Sequence, residues 1–100
     1  MATTTKALAR TAAATTSTTL YTVPASTTTV VTNIVVTNTA GTAATFTITF
    51  DGVAMFTTVA IAANSTAMFD LKQVLATTKI IAGLASATTV NFHISGVEIS

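Results

Sequence analysis

The sequence predicts an all-β protein: an antiparallel β-sandwich of seven or eight strands, with the jelly roll as one form of it. Three observations predict this. Val, Ile, Thr, Phe and Tyr dominate from Thr18 onward, and these residues favour strands. Short apolar segments recur at a spacing of roughly 8–12 residues with turn residues between them. No exact internal repeat is present, which counts against a solenoid. The chain has 100 residues, enough for one small domain.

Residues 1–17 are low in complexity. Beyond Met1 the one large hydrophobe is Leu8, and Lys6 and Arg10 are the only charges before Asp51. Alone, such a segment buries too little apolar surface to offset the entropy of ordering it. It reads as a flexible or extended N-terminal arm, ordered by a neighbour, ahead of a sandwich domain over 18–100. A secretory signal is disfavoured because no apolar core follows the basic residues. A transit peptide fits the basic, acid-free, hydroxyl-rich composition better, but the segment is short and holds one Arg.

Thr18 to Val23 is the first predicted strand of the domain, closed by Pro24. Thr28 to Asn38 is a long one with apolar residues on both faces: Val30, Ile34 and Val36 on one, Val31 and Val35 on the other. That pattern suits a strand covered on both sides. Thr45 to Phe50 alternates strictly, Phe46, Ile48 and Phe50 against three threonines. Asp51-Gly52 supplies a type I′ turn, whose two central residues need positive φ. The hairpin so formed pairs Phe50 with Val53, Ile48 with Met55 and Phe46 with Thr57. Val59 to Ala62 continues the β character, and Ala63-Asn64-Ser65 is a turn. Thr66 to Leu71 puts Ala67, Phe69 and Leu71 on one face. Asp70 with Gln73 resembles a weak capping box, predicting one helical turn over Leu71 to Leu75. Lys79 to Ala82 is a short strand stopped by Gly83. Thr88 to Ile94 alternates, and after Gly96 the apolar phase flips to Val97 and Ile99. A β-bulge at Ser95-Gly96 is the expected remedy, since one extra residue shifts a period of two.

Composition excludes several functions. No Cys means no disulfide framework and no thiolate metal site. Only 7% of residues are charged, with a net charge of +1, too little for a nucleic-acid binder. No apolar run approaches the roughly 18 residues of a membrane-spanning helix. With half the residues hydrophobic, 26 Thr and 19 Ala, part of the surface is expected to be covered by other subunits, giving a homo-oligomer or larger assembly.

Candidate chemistry is thin. His93, the one His, points away from Val90, Phe92 and Ile94 and has no acid at a local spacing to orient it as a base. Asp51 reads as a turn residue, Asp70 as a cap and Glu98 as a surface charge. Neither a carboxylate pair nor an acid-built metal site is indicated. Asn64-Ser65-Thr66 matches a glycosylation acceptor, a match expected by chance in so Thr-rich a chain. Thr45, Thr47 and Thr49 form a ladder of the kind that binds ice when repeated. Without a repeat it reads as a weakly polar face that stacks against another chain. Tyr21, near Pro24, reads as a structural aromatic whose hydroxyl finds a partner. No catalytic, cofactor-binding or metal-ligating residue is expected, and no enzyme.

Thr19-Leu20-Tyr21-Thr22-Val23-Pro24-Ala25, the following Thr29 to Asn38 segment, Ala60 to Thr66, and the closing Thr89-Val90-Asn91-Phe92 with Gly96-Val97-Glu98-Ile99 resemble small virion structural proteins of tailed bacteriophages. Those proteins begin with a "TLYTVPA"-like strand, pass through an "I-V-N" strand and end on an "S-F-…-G-E" strand. The resemblance spans about residues 18–100. It implies a place in the virion, assembled in the host cytoplasm, with no catalytic residues and with the major capsid protein or tail and neck proteins as partners. Capsid decoration and tail attachment both occur in the group. The shortness of this chain favours a decoration or cement role. Symmetry then suggests a homotrimer on a capsid threefold position, its arm lying over an adjacent subunit. A tail- or neck-associated protein is the alternative, and a carbohydrate-binding sandwich module a third reading.

Overall fold

The structure, a computed structural model, describes residues 2–100. Among these every regular element is a strand: β1 (Thr3–Ala12), β2 (Thr18–Thr22), β3 (Thr28–Asn38), β4 (Ala44–Phe50), β5 (Val53–Ile61), β6 (Ser65–Leu75), β7 (Ile80–Ala85) and β8 (Val90–Ile99). They form two four-stranded sheets, β1-β8-β3-β6 and β2-β7-β4-β5. All hydrogen-bonded neighbours are antiparallel. Apart from the β4–β5 hairpin, each connection crosses from one sheet to the other. That order is the eight-stranded jelly roll with its two Greek keys.

The core lies between the sheets. Phe46 and Phe56 from one sheet meet Phe69 and Phe92 from the other, with Phe46 centred 6.2 Å from Phe92 and Phe56 4.6 Å from Phe69. Such offset and tilted pairs add to the burial of the rings. Ile34, Ile48, Ile81, Val90 and Ile94 complete the layer, all fully buried.

Several sequence expectations are corrected, and one device explains most of them. Sheet β1-β8-β3-β6 carries a line of irregularity across its width. The registers shift between Ala7 and Ala9 in β1 and between Val31 and Asn33 in β3. The extra residue on β3 is Thr32. It flips that strand's phase, so Thr29, Val31, Ile34, Val36 and Asn38 all face inward. The strand is therefore not apolar on both faces because both are covered; a bulge has folded two phases into one. The bulge expected at Ser95-Gly96 lies at this level but on the neighbours of β8. β8 keeps its alternation, Gly96 faces inward, and Val97 and Ile99 stay on the outer side. Glu98 consequently turns into the sandwich.

No helical turn follows Asp70. β6 continues to Leu75, because pairing with β3 from Asn38↔Ser65 to Thr29↔Leu75 overrides the weak capping signal. β7 likewise runs through Gly83, which sits where a Cβ would meet Leu20 Cδ1 at 3.0 Å and Phe92 at 3.3 Å. The Asp51-Gly52 turn forms with both φ positive, 54° and 75°, and Phe50 pairs with Val53 as expected. Beyond it the predicted register fails: Ile48 faces Phe56 and Phe46 faces Val59. β5 holds two extra residues, the second absorbed at Thr58, whose φ is 48° and whose amide donates to Thr47 Oγ1 at 3.0 Å. The slip moves Phe56 toward the core in place of Met55's expected pairing.

Residues 3–12, read from the sequence as part of an arm, are extended along the outer edge of β8. Leu8 is the buried side chain of that strand.

Candidate interaction surface

The residues with chemical potential do not converge. His93 lies on the outer face of its sheet, in register with Arg10 on one side and Val35 on the other. Asp51 sits in the β4–β5 turn, where Lys79 Nζ approaches it to 3.7 Å. Asp70 is exposed on β6 and accepts a long hydrogen bond from Asn33 Nδ2, 3.4 Å. Among the described residues no three His, Cys, Asp or Glu side chains cluster as metal ligands would.

Glu98 is the exception to the sequence reading, which made it a surface charge. Its side chain is only 14% exposed and joins the two sheets. Tyr21 Oη, from β2, donates to Glu98 Oε2 and lies 2.8 Å from Thr29 Oγ1. Lys6 Nζ, from β1, stands 3.3 Å from the same carboxylate. Burial, reinforced by the Glu98 hydrogen bond, pushes the Tyr21 hydroxyl up to about 12. The Tyr21 hydrogen bond, followed by that of Lys6, holds the Glu98 carboxyl below its usual value. Every polar member has a partner, so the cluster is a structural plug.

The plug carries a pH signature. A hydroxyl that holds its proton more tightly in the fold contributes fully below pH 10, and that contribution is lost as pH rises from 10 toward 12. Glu98 contributes above the ordinary carboxylate value of 4.5, and its contribution is lost as pH falls through and below it. Tyr21→Phe is expected to cost about 1–2 kcal/mol at pH 7. Urea unfolding followed from pH 7 to 12 should show wild type losing stability relative to Y21F above pH 10. Parallel curves would mean the hydroxyl does not link the sheets.

The surface itself is more informative. Two open depressions, of about 450 Å³ and 430 Å³, flank the Thr32 irregularity, one beside Asp70, Leu71 and Lys72, the other beside Lys6, Arg10 and Ser95. Neither gathers a catalytic set. The outer face of the β2-β7-β4-β5 sheet differs in kind. Thr19, Ala82, Thr49 and Ala54 stand in one register row across all four strands. Leu84 sits beside Thr47 in the next row, and Ile80 beside Thr22. The four strands contain no Asp, Glu, Lys, Arg or His. Their one titratable side chain, Tyr21, is buried on the inner side. The charged residues lie on β1, β6 and β8 or at Asp51 and Lys79. The result is an uncharged face of Thr and Ala with Ile80 and Leu84 among them. Thr45, Thr47 and Thr49 were legible as a stacking face. The contribution of β7 was not, because nothing local says that β7 lies beside β4.

No protein-family model and no curated protein matches the chain. Among solved structures it is similar to the structure of infectious bursal disease virus Gx strain, 16% identical with a TM-score of 0.49, over 97% of this chain and 30% of that one. It is also similar to the crystal structure of a pentameric capsid protein isolated from metagenomic phage sequences, 19% identical with a TM-score of 0.43, over 89% of this chain and 57% of that one. The chain thus spans less than two thirds of either.

Proposed function

We propose that this chain is a non-enzymatic structural protein of a virion, a decoration or cement protein that bridges neighbouring capsid subunits as a homotrimer. The observation that carries the reading is the outer face of the β2-β7-β4-β5 sheet. It spans four strands without an ionisable residue, in a chain whose seven charged residues all lie elsewhere. Packing such a face against protein desolvates no ion, so its burial is not opposed by the large cost of dehydrating charges. The short side chains of the Thr19, Ala82, Thr49 and Ala54 row also let another surface approach closely. The jelly roll is used by viral capsid and lectin domains alike, and fold alone does not choose between them. The resemblance of the Thr19–Ala25 and Thr29–Asn38 segments to small virion proteins supports the virion. The outer-face composition supports adhesion to protein rather than recognition of a polar ligand.

Thr49 is the residue to change, being central in the row and half-buried. Thr49→Glu places a charge where assembly would bury it unpaired, a penalty of about 3–5 kcal/mol. Self-association, read by light scattering, and binding to capsids should both weaken at least a hundredfold, in proportion to that penalty. The same change at Thr66, exposed on the opposite sheet, should leave both unaffected. Wild-type assembly by T49E overturns the assignment of the face. Particles that survive heat equally well with and without the protein overturn the cement role.

A further inference from the structure

β1 is one of four edge strands, each with a single buried side chain, and the only one of them at the start of the described chain. Of its ten residues only Leu8 is buried, with Ala9 packed partly against the core. Its ladder runs along a single strand, β8, at the outer edge of the sheet. Two side-chain anchors hold it. Leu8 Cδ1 fills the space over Gly96, 2.9 Å from where a Cβ on that glycine would stand. Lys6 Nζ reaches Glu98. Both receptors, Gly96 and Glu98, belong to the body of the sandwich. That body holds most of the core: Tyr21 bonds both Thr29 and Glu98, and every buried core residue except Leu8 and Ala13 comes from 18–100. The tether from β1 to β2 contains an exposed bend at Thr15 and Thr16.

The other three sheet edges are guarded. β6 carries Asp70, Lys72 and an irregular register, β5 is bulged twice, and β2 has five residues. Charges, bulges and shortness are the usual devices against edge pairing. The fourth edge, β1, has Lys6, Arg10 and a register shift of its own, and the flank of β8 beneath it offers a socket for one apolar knob, Leu8, and one cation, Lys6.

We propose that β1 is exchanged between copies of this chain, so that Thr3–Ala12 of one subunit completes the β8-β3-β6 sheet of the next. The inference rests on the reading of the chain as an assembly subunit. A β1 from a second copy makes the same ladder, the same Leu8 contact and the same Lys6–Glu98 pair. The balance between closed and exchanged forms is therefore set by the tether and by subunit concentration, not by new contacts. Subunits held side by side in an assembly experience a high effective concentration, which favours exchange. The partner is a second copy of this chain.

The wild-type protein tests this without substitution. Equal amounts of nitrogen-15-labelled and unlabelled full-length chain are unfolded, mixed and refolded at a concentration where the protein self-associates. A water-soluble carbodiimide then joins Lys6 to Glu98, and the coupled peptides are weighed. Exchange predicts that about half of them pair one heavy and one light partner, the statistical fraction for random swapping. Peptides that are all heavy or all light overturn the proposal, and they do so independently of what T49E shows about the opposite sheet. A second version uses the register pair Ala7↔Ser95 in a chain that has no native Cys. Exchange predicts a disulfide-linked dimer from a mixture of A7C and S95C chains. A doubly substituted chain that closes only on itself overturns it.

Discussion

Gly96→Ala is expected to cost about 3 kcal/mol and to lower the melting temperature by about 15 °C. The reason is space, not backbone conformation. A Cβ at this position would collide with the Val30 carbonyl oxygen and stand 2.9 Å from Leu8 Cδ1. The Leu8 methyl can rotate away, but the Val30 oxygen belongs to the backbone of β3, in the middle of its sheet. Relief requires β3 and β8 to separate by close to an ångström at the level where their register already shifts. Thermal unfolding followed by circular dichroism measures the loss. Combining G96A with Leu8→Ala should recover only a small part of it, because the carbonyl contact remains. Full recovery would place the strain in the Leu8 socket alone. Two other glycines serve as controls. Gly41 has open space around its Cα, so Gly41→Ala should be nearly neutral. Gly52 also has room but sits at φ 75°, so an alanine there should cost about 1 kcal/mol through the left-handed backbone.

The same glycine shows how far the sequence can be read. The flip in apolar phase after Gly96 predicts a bulge at Ser95-Gly96, and the register does shift at that level, although β8 itself keeps its alternation with Val97 and Ile99 outside. It does not say which strand absorbs it. β1 and β3 each insert a residue, at Leu8 and Thr32, and β8 inserts none. Thr32 is one more threonine among 26, so composition cannot mark it as the bulge. The apolar residues on both phases of β3 were the signal, and two-sided coverage explained them equally well. Glu98 follows from this: with β8 unshifted it lies inside, against Tyr21.

Local features were more legible. Thr28 to Asn38 is a strand with the predicted bounds, because nine of its eleven residues are Thr, Val or Ile and none is Gly or Pro. The Asp51-Gly52 turn is dictated by two residues. The register two pairs beyond it is not, since the bulges in β5 answer to packing of Phe56 against Phe46 and Phe69. The outer face of the β2-β7-β4-β5 sheet was half visible, its Thr ladder in one strand and its Ala82 in another. Joining them needed the strand order, which is long-range information.

Asn38→Ala is expected to destabilise by about 3 kcal/mol, because one buried side chain joins three connections at one end of the sandwich. Asn38 is 1% exposed. Its Nδ2 donates to the Thr42 carbonyl at 2.8 Å and lies 3.3 Å from the Ala62 carbonyl. Its Oδ1 accepts from the Ala40 amide at 3.1 Å and from Thr89 Oγ1 at 3.2 Å. Alanine leaves these groups without their partner and opens a polar void. Asn38→Asp, nearly the same shape, separates hydrogen bonding from volume. It keeps the acceptor, loses the donor and aims a carboxylate at two carbonyl oxygens. Such a group holds its proton more tightly folded than unfolded, so N38D should gain stability as pH falls through the ordinary carboxylate range of about 4. That is opposite in sign to the acid response of Glu98. Hydrogen exchange locates the effect. In N38A the Ala40, Asn64 and Ser86 amides, which bond within and between these connections, should exchange faster. The Val23 and Asp51 amides bond Lys79 and Ile80 at the other end and should open only with the whole fold. A uniform rise at both ends, or a loss under 1 kcal/mol, would mean that the main-chain bonds hold the loops without Asn38.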